Sequence, residues 1–263
     1  MLAALVLVAP MAVGGPVLRQ VERAMILFPG APSADHPPAD TGIEEVRFPT
    51  ADGSTLHGWF VPGEGDCAVL MSHGNAGDVA SRGPQLLRVA RLSGCPTLLY
   101  DYRGYGKSEG SPSLRGVEQD GRAAAAFLAD RTGVPRDQLI LHGRSLGGGV
   151  SCAVADRDGA RALILVNTFS SLKDMTALRV PIPGLGHLLS EPLDSAAAMR
   201  RYRGPVLQTH GTVDEVIPFH IGERLHHAIG RDQRFVVHEG YTHNQTLPTS
   251  WDDEVRAFLA ALP

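Results

Sequence analysis

The chain has only two lysines, Lys107 and Lys173, and three cysteines, Cys67, Cys95 and Cys152, among 263 residues. Three cysteines cannot build a disulfide scaffold, and none stands in a C-x-x-C pair, so a cysteine-ligated zinc site is excluded. A basic surplus is also missing. The formal charge is −4, which leaves no electrostatic footprint for a nucleic-acid backbone. No internal repeat and no second domain are visible. What is present is ordinary globular usage, 43% apolar and 20% charged, which excludes wholesale disorder. Thirty glycines and 19 prolines without a period imply many tight turns rather than collagen.

Charge is absent altogether from Met1 to Leu18, and Arg19 is the first ionised side chain. As a helix these residues would span about 27 Å, slightly short of a hydrocarbon core. Pro10, Gly14, Gly15 and Pro16 weaken that helix, and no basic n-region marks a signal peptide. The segment is expected to be a membrane anchor, with a cleaved signal or a buried stretch as alternatives. The location expected is accordingly membrane-associated or exported, and cytoplasmic if residues 1–18 are no anchor. Residues 19–42 read as a connector, proline-rich from Pro29 to Asp40, and residues 43–263 as one domain.

Ile43 to Phe48 and Thr55 to Val61 alternate with period two around Asp52-Gly53, the pattern of an antiparallel hairpin. Beyond them, short unbroken apolar runs alternate with helical stretches. The runs are Cys67–Met71, Thr97–Tyr100, Leu139–Leu141, Ala162–Val166, Val206–Gln208 and Phe235–Val237. Continuous apolar strands suit a parallel sheet buried on both faces, and the alternation with helices predicts a doubly wound α/β fold. The last helix is expected from Trp251 to Leu262, capped by Thr249 or Ser250. Residues 172–203 hold too much chain for a simple crossover. Their apolar residues, broken by Pro181, Pro183, Gly184 and Gly186, predict a lid over a pocket, with a ragged helix entry as the alternative.

Gln138 to His142 reads as a strand, and Gly143-Arg144-Ser145-Leu146-Gly147 follows it at once and opens a helix. That is G-x-S-x-G in the context its chemistry requires, a nucleophilic serine lifted on a strained turn. A serine needs a base, and the base needs an acid. Asp214 falls just past the strand that ends at Gln208, and His243 just past the next strand. The order Ser145, Asp214, His243 suits this fold, with each member at the carboxyl end of a parallel strand. Glu215 and Glu239 are weaker candidates for the acid, and His238 reads as structural. The oxyanion would be held by two backbone N–H groups, those of Leu146 at the helix start and of Asn75 in His73-Gly74-Asn75-Ala76-Gly77. A rival reading gathers His73, His142 and His210, each before a glycine at a strand end, around a metal. No H-E-x-x-H or H-x-H run supports it.

Several stretches resemble the α/β-hydrolase superfamily: Ser72 to Gly77, Asp101 to Gly110, Gly143 to Gly148, His210-Gly211 with Asp214-Glu215, and His243-Asn244. Within it the chain resembles the small serine hydrolases with an N-terminal anchor, related to fungal bud-emergence homologues and protein depalmitoylases. The resemblance spans about residues 46–262. It implies a mostly parallel central sheet with an N-terminal antiparallel hairpin, helices on both faces and a short lid. It also implies Ser145 as nucleophile, His243 as base and Asp214 as acid, without cofactor or metal. Asp101 to Gly110 would support the floor of the site, and Arg144 would have no direct catalytic role. The function expected is hydrolysis of carboxylic esters or thioesters, on lipid-like or other apolar acyl substrates. A peptidase or amidase with the same residues is the alternative, as is a non-catalytic binder on the same fold.

Cys67 and Cys95 each stand six residues before matching strand-end positions, His73 and Asp101. If those strands pair, both thiols lie at the same end of the sheet. They are then either buried thiols or, in an oxidising compartment, a bridge.

Overall fold

The computed structural model describes residues 26–30, 35–179, 193–230 and 233–263, without the side chain of Arg179. The hairpin forms as the alternation predicts, from β1 (Glu44–Pro49) and β2 (Thr55–Val61). Its turn is closed by Thr50, whose N–H reaches Ser54 O at 2.8 Å, and by Gly53 at φ 89°. Six further strands follow: β3 (Val69–Ser72), β4 (Thr97–Tyr100), β5 (Ile140–Arg144), β6 (Ala162–Val166), β7 (Val206–Gly211) and β8 (Gln233–His238). All six run parallel, and β2 joins them antiparallel to β4, giving one sheet in the order β1-β2-β4-β3-β5-β6-β7-β8. The inner parallel strands are buried along their whole length, apart from Arg144 at the end of β5, which is why they lack alternation. The edge strand β8 is largely exposed.

The described helices are α1 (Gly83–Ser93), α2 (Leu114–Thr132), α3 (Leu146–Asp158), α4 (Leu172–Arg179), α5 (Ser195–Arg201), α6 (Phe219–Ala228) and α7 (Thr249–Ala260). Two apolar cores result, one per sheet face. Leu86 and Val89 of α1 pack with Trp251, Val255 and Phe258 of α7 on one side. Leu114 and Leu128 of α2, Val150 and Val154 of α3, and Ile221 and Leu225 of α6 fill the other. Ser113 caps α2 by accepting from Gly116 N at 3.0 Å, and Gly133 ends it in the left-handed conformation.

The start of α7 differs from the cap expected. Thr249 and Ser250 lie inside the helix, and Pro248 holds the cap position without a side-chain hydrogen bond. Arg88 of α1 explains the shift. Its guanidinium donates to Leu247 O and Pro248 O at 3.0 and 2.9 Å and to Asp252 at 2.7 Å, which fixes the entry from outside.

Cys67 and Cys95 are disulfide-bonded, their Cα atoms 5.3 Å apart, at the starts of the paired strands β3 and β4. Residues 1–18, with the expected anchor, lie outside the described residues. Among the described residues no helix is long and apolar enough to cross a membrane. The middle of the expected lid, residues 180–192, also lies outside them. Around it, Leu172 N donates to Leu193 O at 3.0 Å, and Ala196 N to Ser170 O at 2.8 Å.

Candidate active site

β5 delivers the chain straight into α3, and the one residue between them is Ser145, at φ 54° and ψ −118°. A non-glycine residue there is strained, and its surroundings must hold it. They do so by close packing. A Cβ at Gly147 would collide with Ser72 O, and one at Gly143 with Gly147 O, so only glycine permits β3, β5 and α3 to meet. Ser145 N also donates to Val166 O at 2.9 Å, tying the turn to β6. Leu146 is the first residue of α3, where N–H groups have no intrahelical acceptor.

The loop after β3 lies directly over this turn: a Cβ on Gly74 would sit 3.6 Å from Ser145 Cβ. The stretch from Asp101 to Gly110 braces it. Tyr102 Oη donates to His73 O at 2.8 Å, and Tyr105 Oη to Asn75 Oδ1 at 2.9 Å. Asp101 accepts from Val79 N at 2.8 Å. His73 Nδ1 bonds Gly74 O at 2.7 Å. The Asn75 side chain has a second task. Its carboxamide accepts from Phe28 N at 3.1 Å and donates to Ile26 O, gripping the chain on both sides of buried Leu27.

Asp214 and His243 meet in the loops after β7 and β8. His243 Nδ1 lies 2.7 Å from Asp214 Oδ2, while Oδ1 accepts from Val216 N and Ile217 N at 2.9 and 2.7 Å. Both side chains are buried. The other acid candidates are engaged elsewhere: Glu215 accepts from the His243 backbone N–H at 3.1 Å, and Glu239 from Thr212 Oγ1 at 3.1 Å. The His243 carbonyl is drawn toward the serine turn by two donors, Arg144 Nη2 and Asn167 Nδ2, the latter at 2.9 Å. Among the described residues no hydrogen bond joins Ser145 Oγ to His243, whose ring is bonded to Asp214.

Asn167 escaped the sequence patterns. It stands just past β6 at φ 47°, accepts from Gly211 N at 3.2 Å and holds His243 O, so it links three loops. An asparagine just beyond an apolar run was the available signal, since asparagine tolerates positive φ.

The three imidazoles of the metal alternative go separate ways. His73 bonds Gly74 O. His142 lies edge-on to Trp251, 6.2 Å between ring centroids, and burial pushes its pKa down to about 4. His210 Nε2 donates to Ile217 O at 2.9 Å. Among the described residues no group of three or more metal-binding side chains occurs. His238 ends β8 against Tyr241, its pKa lowered by burial.

A family model for the alpha/beta hydrolase fold matches residues 68–185. Among known sequences, the chain is 35% identical over 250 residues to the uncharacterised protein Rv2307c of Mycobacterium tuberculosis, covering 90% of this chain and 87% of that one. It is 33% identical over 197 residues to the alpha/beta hydrolase domain-containing protein WAV2 of Arabidopsis thaliana, covering 68% and 64%. Among solved structures, the esterase Pf2001 of Pyrococcus furiosus superposes over 90% of this chain and 99% of its own with TM-score 0.72 and 18% identity, a likeness of fold. The chain has the α/β-hydrolase fold.

Proposed function

We propose that this protein is a serine hydrolase that cleaves carboxylic ester or thioester bonds through an acyl-enzyme. His243 takes the proton of Ser145, whose oxygen attacks the carbonyl carbon. The N–H groups of Asn75 and Leu146 receive the oxyanion, and His243 passes its proton to the departing alcohol or thiol. Water then repeats the sequence on the acyl-enzyme. Asp214 holds the tautomer with the proton on Nδ1, leaving Nε2 to act as base, and stabilises the imidazolium.

The observation that carries this reading is the 2.7 Å contact of His243 with Asp214, in a loop whose carbonyl is tied to the residue preceding a strained Ser145. The strain matters because a serine with only a structural task has no need of such a backbone. The relation to anchored hydrolases acting on lipid-like acyl groups, and membrane association through residues 1–18, belong to the same proposal. The Cys67–Cys95 bond supports an oxidising location, since such bonds are rare in reducing cytosol.

The test is labelling by a fluorophosphonate probe, with nitrophenyl esters, acyl thioesters and anilides compared in parallel. Ser145→Ala is expected to abolish labelling and to lower ester turnover by several orders of magnitude. Undiminished ester turnover by Ser145→Ala overturns the mechanism. Faster cleavage of anilides than of esters makes the protein an amidase.

A further inference from the structure

Two arginines stand at this site without a counter-charge. Arg144 precedes Ser145 and spends one donor on His243 O. Arg82 closes the short 3-10 turn Ala80–Arg82 beyond the Asn75 loop and spends one donor on Ala76 O, at 3.1 Å. Its Nε is buried without a partner. Among the described residues neither lies within ion-pair distance of a carboxylate. The acid nearest in effect to Arg144 is Asp214, whose oxygens are already engaged by His243, Val216 and Ile217.

Elsewhere the protein treats a sheltered guanidinium quite differently. Arg103 is met by two carboxylates, Asp120 at 2.7 Å and Asp52 at 2.7 Å. Removing a charge from water is costly unless an opposite charge replaces the water, and two like charges placed together add to that cost. Arg144 shows this: burial, and then the neighbouring Arg82 charge, holds its guanidinium below its ordinary pKa. The pair is half-buried, so a ligand can reach it.

We infer that Arg82 and Arg144 form an anion subsite, and that the preferred substrates are acyl esters carrying a carboxylate or phosphate a few bonds from the scissile carbonyl. Guanidinium groups present planar donors that match either anion, and here ten N–H donors serve two carbonyls. The inference rests on the hydrolase reading and adds the substrate class to it. An apolar acyl chain with an anionic partner satisfies both.

The experiment compares kcat/KM for two matched pairs on the full chain: nitrophenyl butyrate against nitrophenyl hemiglutarate, and monoacylglycerol against its 3-phosphate. The first pair reports carboxylate and the second phosphate. At least one anionic member is expected to be preferred by about tenfold or more, the worth of a hydrogen bond to a charged group. Arg82→Gln is expected to remove most of that ratio and Arg82→Lys to keep part of it, whatever happens to absolute rates; Arg144→Gln gives a second check on the ratio. Equal or inverted preference in both pairs, or a ratio indifferent to Arg82→Gln and Arg144→Gln, overturns the subsite while leaving an active serine hydrolase. Absence of both turnover and probe labelling overturns the hydrolase reading instead. Calorimetry of hemiglutarate binding to Ser145→Ala, with and without Arg82→Gln, then decides the subsite separately: binding lost with Arg82 supports it, and no binding ends it.

Discussion

His142 offers a quantitative check on how the sheet treats a buried titratable group. Its ring lies inside the sheet–helix core, 6% exposed, with Nδ1 unpartnered, and burial, followed by the nearby Arg144 charge, lowers its pKa from 6.5 to about 4. Above pH 6.5 the ring is neutral folded or unfolded and adds no pH dependence. As the pH falls from there, the unfolded chain binds a proton that the folded chain refuses, so stability falls. Below about pH 4 both states are protonated and the loss levels off. The loss by pH 4 is about 3 kcal/mol, from roughly 1.4 kcal/mol per pKa unit. His142→Leu removes the group, and its constant effect on packing drops out when stability at pH 7 is compared with stability at pH 4. His73, His210 and His238 are also lowered by burial, but they are common to both proteins and cancel. Urea midpoints measured across this range should show the parent losing about 3 kcal/mol more than His142→Leu. Parallel losses in the two proteins refute the argument from burial.

Three other outcomes follow from the geometry. Asp214→Asn can still accept from Val216 and Ile217 through Oδ1, but its amide turns a donor toward His243 Nδ1. The wrong tautomer is expected to lower kcat by about 10⁴ with the melting temperature nearly unchanged, and an unaltered kcat refutes the acid assignment. Replacing Cys67 or Cys95 by serine opens a loop with a sequence separation of 28. The expected loss is about 3–4 kcal/mol on the chain-entropy scale, and equal urea midpoints with and without reductant contradict it. Arg103→Met strands the fully buried Asp120 carboxylate, with a loss of about 3–5 kcal/mol; a variant as stable as the parent at pH 7 shows that Asp120 is not charged there.

The sheet was legible because its inner strands are apolar without alternation, and only a sheet covered on both faces tolerates that. The serine turn was legible because two glycines at fixed offsets answer a steric demand that no other residue meets. The loops bearing Asp214 and His243 followed from strand ends. What stayed hidden depends on contacts distant in sequence. Arg88 displaced the expected cap of α7 from 159 and 160 residues away, and nothing local to Thr249 could signal that. Spacing put Cys67 and Cys95 at one end of adjacent strands but could not choose between thiols and a bridge. Asn167 looked like an ordinary turn residue until three loops converged on it.

The carboxamide of Asn75 has a practical consequence for anyone shortening this protein. Versions that begin at the first strand discard Ile26 and Phe28, the two backbone partners of that side chain, together with Leu27 from the core. Such versions would keep every residue of the sheet and yet loosen the peptide directly above the serine. Weak turnover by a trimmed form would then reflect a missing fastening, and restoring the chain from Ile26 to the hairpin should recover it.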